Sequence, residues 1–240
     1  MDNPALHLSF SQLALALVPV LMTLGILFKW SYDLGHAVYA LARMLAQLLL
    51  IGYVLAWIFG ASNGVLVLLV LAIMLLASSW IALGTVPEQR RALLWASVVS
   101  ITVGGGLTLA LITQAVLQID PWYLPNYMIP LAGMVFANAM TAVSLAAERL
   151  YAELAHGASW QSARLTAYQA AMIPVINSLF AVGLVSLPGM MTGQILSGVS
   201  PLVAARYQIV VMCMIFAASG ISTALFLAII RRRVALADQD

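Results

Sequence analysis

Apolar residues in this chain neither alternate nor keep to one helical face. They run in long blocks separated by short polar or glycine- and proline-containing breaks. Seven blocks stand out: Leu8 to Phe28, Val38 to Phe59, Val65 to Leu83, Leu93 to Leu117, Met128 to Ala147, Met172 to Leu196 and Ile209 to Ile230. Each approaches the roughly 20 apolar residues that a helix needs to cross a hydrocarbon layer about 30 Å thick. Ten-residue alternating segments are missing from the sequence, which excludes a lipid-facing β-barrel. The pattern predicts an all-α fold: a polytopic membrane bundle of seven transmembrane helices, one domain over residues 1–240.

The breaks at Gly60 to Gly64, Gly84 to Pro87, Asp120 to Pro125 and Gly198 to Pro201 carry turn chemistry. They are too short to fold alone. The polar stretch Glu148 to Ala171 is long enough for short helices. Leu150 and Leu154 lie one turn apart there, as do Glu153 and Gly157, so 148–171 reads as a helix, a glycine turn and a second helix, with Ser159 as an N-cap. Such a segment can dock into a groove on a soluble subunit. It can also lie on the lipid headgroups.

Composition agrees with a bilayer environment. Of 240 residues, 64% are hydrophobic and 8% charged, against about a quarter charged in soluble domains. A net charge of +2 gives no nucleic-acid surface. Cys213 is the single cysteine, so the chain can form no internal disulfide. With the amino terminus outside and seven crossings, nine of the ten basic residues fall on the cytoplasmic side: Lys29, Arg43, Arg90, Arg91, Arg149, Arg164 and Arg231 to Arg233. Arg206 alone is left outside. This positive-inside asymmetry predicts amino terminus out and carboxyl terminus in. The first block follows Asp2 and His7, with no Lys or Arg before it, and reads as a retained span.

Several chemistries are excluded. Ion-coupled transporters place acids or histidines inside spans, whereas all eight acids (Asp2, Asp33, Glu88, Asp120, Glu148, Glu153, Asp238, Asp240) fall in loops or tails. The only lysine, Lys29, belongs to no phosphate-cradling loop, so ATP chemistry must come from another chain. Gly157-Ala-Ser159 beside His156 loosely resembles a rhomboid-type serine motif. Trp160 stands where its last glycine belongs, and adjacency does not set a base against a nucleophile. No catalytic motif remains. Twelve methionines raise soft-metal binding, against their ordinary use as flexible filler. Met190 and Met191, beside a helix break, keep functional interest.

Three features rise above the apolar background. Gly133, Ala137 and Thr141 form a small-residue stripe on the fifth span, beside Asn138. Such a stripe serves helix packing or a moving interface. Pro188 and Gly189 break the sixth span at membrane depth, as in helices that line transporter cavities. The candidate path is Asn138, Thr141, Asn177, Ser186, Pro188, Met190, Met191, Thr192 and Gln194. The third feature is the segment 148–171.

The stretches Ile101-Thr-Val-Gly-Gly-Gly-Leu-Thr108, Ile129-Pro-Leu-Ala-Gly-Met134 with Asn138-Ala-Met140, Gly183-Leu-Val-Ser-Leu-Pro-Gly-Met-Met191 and Ala205-Arg-Tyr-Gln-Ile209 carry a family pattern. The chain resembles the FetB, or YbbM-like, family of ABC transporter permeases, described as iron-export permeases, with plant relatives linked to aluminium tolerance. The resemblance implies a permease domain that pairs with itself and with two copies of an ATP-binding subunit, in a bacterial inner membrane. It places ATP and Mg on that partner and no cofactor on this chain. By resemblance, Glu153, Gly157, Ser159 and Arg164 form the coupling segment, similar to the Glu-Ala-Ala loop of other ABC permeases, although the stretch from Gly157 to Pro174 is longer. Iron enters through the resemblance alone, because the spans hold no Asp, Glu or His cluster for a bare ion and name no metal ligand. A chelate or an organic solute fits the polar path as well, and a non-transporting scaffold or sensor fits the packing stripes.

Overall fold

A computed structural model of the protein describes residues 9–30, 34–60 and 63–237, all of them helix or connecting turn. Asp2, His7, Leu8, Asp33, Ala61, Ser62, Asp238 and Asp240 lie outside the described residues. The chain divides into two compact units, residues 1–60 and 61–240.

In the first unit, α1 (Phe10–Ala16) starts at a capping box. Ser9 Oγ accepts from the Gln12 N–H at 3.3 Å, and Gln12 Oε1 accepts from the Ser9 N–H at 2.8 Å. A turn at Leu17 leads into α2 (Val18–Lys29), which has Pro19 in its first turn, where a missing N–H costs nothing. The 27-residue α3 (Leu34–Gly60) follows and packs on α2.

The second unit begins with α4 (Gly64–Ala82), capped by Asn63, whose side chain accepts from the Val65 N–H at 2.9 Å. A single 3-10 turn, Leu83–Thr85, ends it. Arg90 then closes the corner: its Nε and Nη2 donate to the Trp80 carbonyl at 3.0 and 2.7 Å, and its guanidinium lies 3.9 Å from the Trp80 ring centre. One group thereby satisfies an orphan carbonyl and stacks on an aromatic face.

The fourth span runs as α5 (Arg90–Ile101), a π turn (Thr102–Gly106), α6 (Leu107–Leu111) and a second π turn (Ile112–Val116). The hydroxyls of Thr102, Thr108 and Thr113 bond back to the carbonyls of Val98, Gly104 and Leu109, at 2.7, 2.6 and 2.9 Å. Such back-bonding competes with the regular ladder. The glycines of the first π turn sit where neighbouring helices come closest. A Cβ on Gly104 meets the Ser222 backbone N at 2.5 Å, and one on Gly105 meets Val135 Cγ1 at 3.0 Å.

The 31-residue α7 (Pro125–Ala155) is the centre of this unit and packs on α4, on the first π turn, on α8 (Trp160–Ala181) and on α10 (Pro201–Ala237). Leu131, Val135, Val143 and Leu150 on α7 are fully buried, as are Ala163, Ala167 and Ala171 on α8. Small residues every four positions let α8 lie close against α7. The short α9 (Gly189–Leu196) packs on α10.

Among the described residues, six helical stretches are long and apolar enough to cross a membrane: Ser11–Lys29, Leu34–Leu55, Gly64–Thr85, Arg90–Val116, Pro125–Ala155 and Pro201–Arg231. They match six of the seven expected spans. The remaining stretch, Met172 to Leu196, is divided: α8 stops at Ala181 and α9 starts at Gly189. The break expected near Pro188 is therefore present and spans 182–188. The stripe Gly133, Ala137 and Thr141 differs from a buried seam, because Ala137 and Thr141 are exposed. Burial on α7 instead follows Ala132, Ala139, Ala142 and Ala146.

Candidate functional site

The break between α8 and α9 satisfies much of its own backbone. The Ala181 carbonyl accepts from the N–H groups of Val185 and Ser186 at 2.8 and 3.1 Å, and the Gly183 N–H donates to the Ser186 carbonyl at 3.0 Å. Gly183 has φ +85°, which an L side chain rarely tolerates. Leu184 and Val185 project outward, 91% and 85% exposed. Apolar side chains on the outside of irregular backbone suit hydrocarbon, provided the polar groups turn inward.

Inward of the break lies a cavity of about 300 Å³. Four elements wall it: Met134 and Asn138 from α7, Ser178 from α8, Val182, Ser186, Pro188, Gly189 and Met190 across the break and the start of α9, and Gln208, Val211, Met212 and Ile215 from α10. No Asp, Glu, His, Lys or Arg lines it. Gly189, the first residue of α9, contributes only main chain, and a Cβ there meets nothing within 4 Å. α9 has no side-chain cap, and its first backbone bond is from the Thr192 N–H to the Pro188 carbonyl at 3.0 Å. The N–H groups of its first turn are thus open to water or a ligand.

Two amides face this space differently. Asn138 Nδ2 donates to the Met134 carbonyl at 2.8 Å, which leaves its oxygen and its second N–H open. Gln208 is 6% exposed and its Oε1 has no partner. Gln194 Oε1 on α9 and the Tyr207 hydroxyl on α10 are likewise buried and unpartnered. A buried orphan acceptor costs about 1–3 kcal/mol, so several on the α9 and α10 elements mark a place where water or cargo completes the bonding.

Of the expected path residues, Asn138, Ser186, Pro188 and Met190 line the cavity. Thr141, Asn177, Met191, Thr192 and Gln194 do not. Thr141 is exposed on α7 and bonds the Ala137 carbonyl at 2.9 Å, and Thr192 Oγ1 bonds the Pro188 carbonyl at 3.1 Å. Sequence reasoning missed Gln208. Its signal was an amide inside an apolar run, hidden because the last span was begun at Ile209 when the helix begins at Pro201.

The expected coupling residues sit at the corner between α7 and α8. No separate short helix projects there, since 148–155 is the end of α7 itself. The corner is a Schellman motif: Gly157, at φ +80°, donates to the Leu154 carbonyl at 2.9 Å, and the Ala158 N–H donates to the Glu153 carbonyl at 3.1 Å. Ser159 then caps α8, accepting from the Ser162 N–H at 3.4 Å. Glu153 is paired with Arg149 at 2.5 Å, and Arg164 is exposed on the first turns of α8. Among the described residues, no three His, Cys, Asp or Glu side chains are grouped to hold a metal ion.

A second cavity, of about 330 Å³, lies beside the π turns and is nearly all apolar, with Thr113, Gln114 and Trp122 at its wall.

The profile of an uncharacterised protein family, UPF0014, matches residues 10–235. A UPF0014 membrane protein of Synechocystis is 35% identical over 214 residues, covering 83% of each chain. The "probable iron export permease protein FetB" of Escherichia coli is 33% identical over 233 residues, covering 90% of this chain and 88% of its own. The protein named aluminum sensitive 3 of Arabidopsis thaliana is 34% identical over 226 residues, covering 88% and 81%. No solved structure matches the chain. With the profile spanning nearly the whole length, and relatives at this identity on both sides of the helix break, the chain belongs to the UPF0014 family of membrane proteins, the family of FetB that its motifs resemble.

Proposed function

We propose that this chain is the permease subunit of an ATP-binding cassette transporter, acting as a homodimer in a bacterial inner membrane with two copies of a separate ATP-binding subunit. The amino terminus lies outside and the carboxyl terminus in the cytoplasm. The cargo is iron, another metal or a metal chelate, moved outward, and ATP with Mg is consumed on the partner. The observation that carries this reading is the polar cavity at a broken helix, since a chain built only for packing gains nothing by leaving Gln208 buried without a partner. The name of the E. coli relative supports the cargo class.

The mechanism follows from α8. One helix of 22 residues joins the corner at Ser159 to the break at Ala181, a lever about 33 Å long. Nucleotide binds the closed partner dimer more tightly than the open one, and that difference supplies the energy for movement at the corner. Glu153, Gly157, Ser159 and Arg164 receive that movement, and α8 delivers it to the cavity wall at Ser178. Asn138, Ser186, Pro188, Met190 and Gln208 meet the cargo, with Thr141, Asn177, Met191, Thr192 and Gln194 along its route.

The test is purification of the tagged protein from its native membrane in mild detergent, with identification and stoichiometry of what accompanies it. A phosphate-loop ATPase at one copy per chain is expected. A homo-oligomer that retains no ATPase even after crosslinking overturns the transporter reading in favour of a scaffold or sensor.

A further inference from the structure

We propose that the cavity at the α8–α9 break binds a soft monovalent cation of the Cu(I) or Ag(I) type through the thioethers of Met134, Met190 and Met212 and the amide oxygens of Asn138 and Gln208. The inference rests on that cavity being the cargo site, and it names a cargo class.

Three methionines from three different elements, α7, α9 and α10, reach one space. A thioether is an acceptor without a proton to donate. Both amides add an oxygen: Asn138 spends one of its two N–H groups on the Met134 carbonyl and keeps its oxygen open, and Gln208 keeps an unpartnered oxygen at 6% exposure. The Ser178 and Ser186 hydroxyls on the same wall rotate and can turn their oxygens inward too, so thioether, amide and hydroxyl acceptors can converge on a cation. With no carboxylate, imidazole or thiolate among the lining residues, the charge of that cation goes uncompensated, and Born cost rises with the square of charge. A monovalent ion is therefore favoured over a divalent one. Sulfur donors then select a soft ion over sodium or potassium.

Two other features fit. The carboxyl end of α8 and the amino end of α9 meet at the break, so their opposite partial charges offset and the donor atoms decide. The space exceeds a bare ion, and the three rotatable bonds of each methionine let the sulfurs close on it.

The experiment titrates purified full-length protein, in a Cys213→Ser background, with Ag(I) and with Cu(I) under reducing conditions, against a chromogenic competitor. Cys213 is exposed and does not line the cavity, so its removal eliminates the one thiol. One ion per chain is expected, with sulfur scattering at the bound metal by X-ray absorption. Met134→Leu, Met190→Leu and Met212→Leu should each weaken binding about tenfold or more, while Met22→Leu, on the exposed face of α2, leaves it unchanged. Leucine conserves volume, and unchanged gel-filtration profiles and melting curves verify the fold. No Ag(I) binding, absence of sulfur scattering, or affinity indifferent to all three cavity substitutions overturns the proposal. A chain that co-purifies with its ATPase yet fails here remains a permease and loses only this cargo class.

Discussion

A methyl group added at Gly104 runs into the backbone of Ser222 on α10, with the nitrogen at 2.5 Å and Cα at 2.8 Å. Backbone cannot swing aside as a side chain does, so two helices must separate or the π turn must shift. Overpacking of this kind costs typically 1–3 kcal/mol. Gly106, two residues on, has nothing closer than a Thr102 methyl at 4.0 Å. Gly104→Ala should therefore lower the melting temperature in detergent by several degrees, whereas Gly106→Ala should leave it within about a degree of the parent. Equal effects at the two positions would disprove the close crossing. In the sequence the triple glycine stands only as part of the family pattern, and which glycine meets which helix is not legible there, because the two π turns rotate the faces of the fourth span. Gln208 shows a different limit. An amide one residue outside a drawn span boundary reads as loop polarity, and only the true start of α10 at Pro201 turns it into a buried acceptor.

Hydrophobic runs locate elements well where both ends carry turn residues, as at Asn63 and Pro125, and poorly where a helix continues past the apolar stretch. The fifth span reads as ending at Ala147, yet α7 continues to Ala155, because nothing between them breaks a helix and Gly157 supplies the first left-handed residue. That extension has a geometric consequence. Thirty-one residues make a helix about 46 Å long, against about 30 Å of hydrocarbon. The proposed placement, with Pro125 beside the aromatic residues Trp122 and Tyr123 at one interface, leaves the α7–α8 corner roughly 15 Å clear of the other. A coupling element needs that reach. Gly157 holds the corner at φ +80° with open space around its Cα, so substitution there strains the backbone without a collision. Gly157→Val should cost about 1–2 kcal/mol and, in the assembled complex, separate ATP hydrolysis from cargo movement. Gly157→Asn, which tolerates the left-handed region, should retain coupling. A valine variant that couples as well as the parent would remove the corner from the mechanism.

Across the second unit, two independent measures put the cavity at the same depth. Asn138 lies 13 residues into α7, about 20 Å from the aromatic end, and Ser178 lies 18 residues into α8, about 27 Å from the corner, which leaves about 19 Å to that same end. Gln208 and Ile215 lie 7 and 14 residues into α10, Met134 and Asn138 lie 9 and 13 residues into α7, and all four wall the one cavity. Charge is unevenly placed: Arg90 and Arg91, Arg149 and Arg164, and Arg231 gather at the corner end, while Arg206 sits near the other. The proposed orientation sets this positive end in the cytoplasm, on the side of the proposed ATPase. The proposed orientation rests on these basic residues. The depth of the site was not legible in the sequence, since it depends on helix lengths that hydropathy does not fix. Cysteines introduced at the exposed Asn126 and Gln161, in a Cys213→Ser background, read both at once. A membrane-impermeant maleimide applied to right-side-out vesicles should label Asn126→Cys and spare Gln161→Cys, and inside-out vesicles should reverse the pattern. Labelling of Gln161→Cys from outside would place the α7–α8 corner away from ATP and sink the coupling assignment, whereas labelling of both from one face would show that α7 does not cross the membrane.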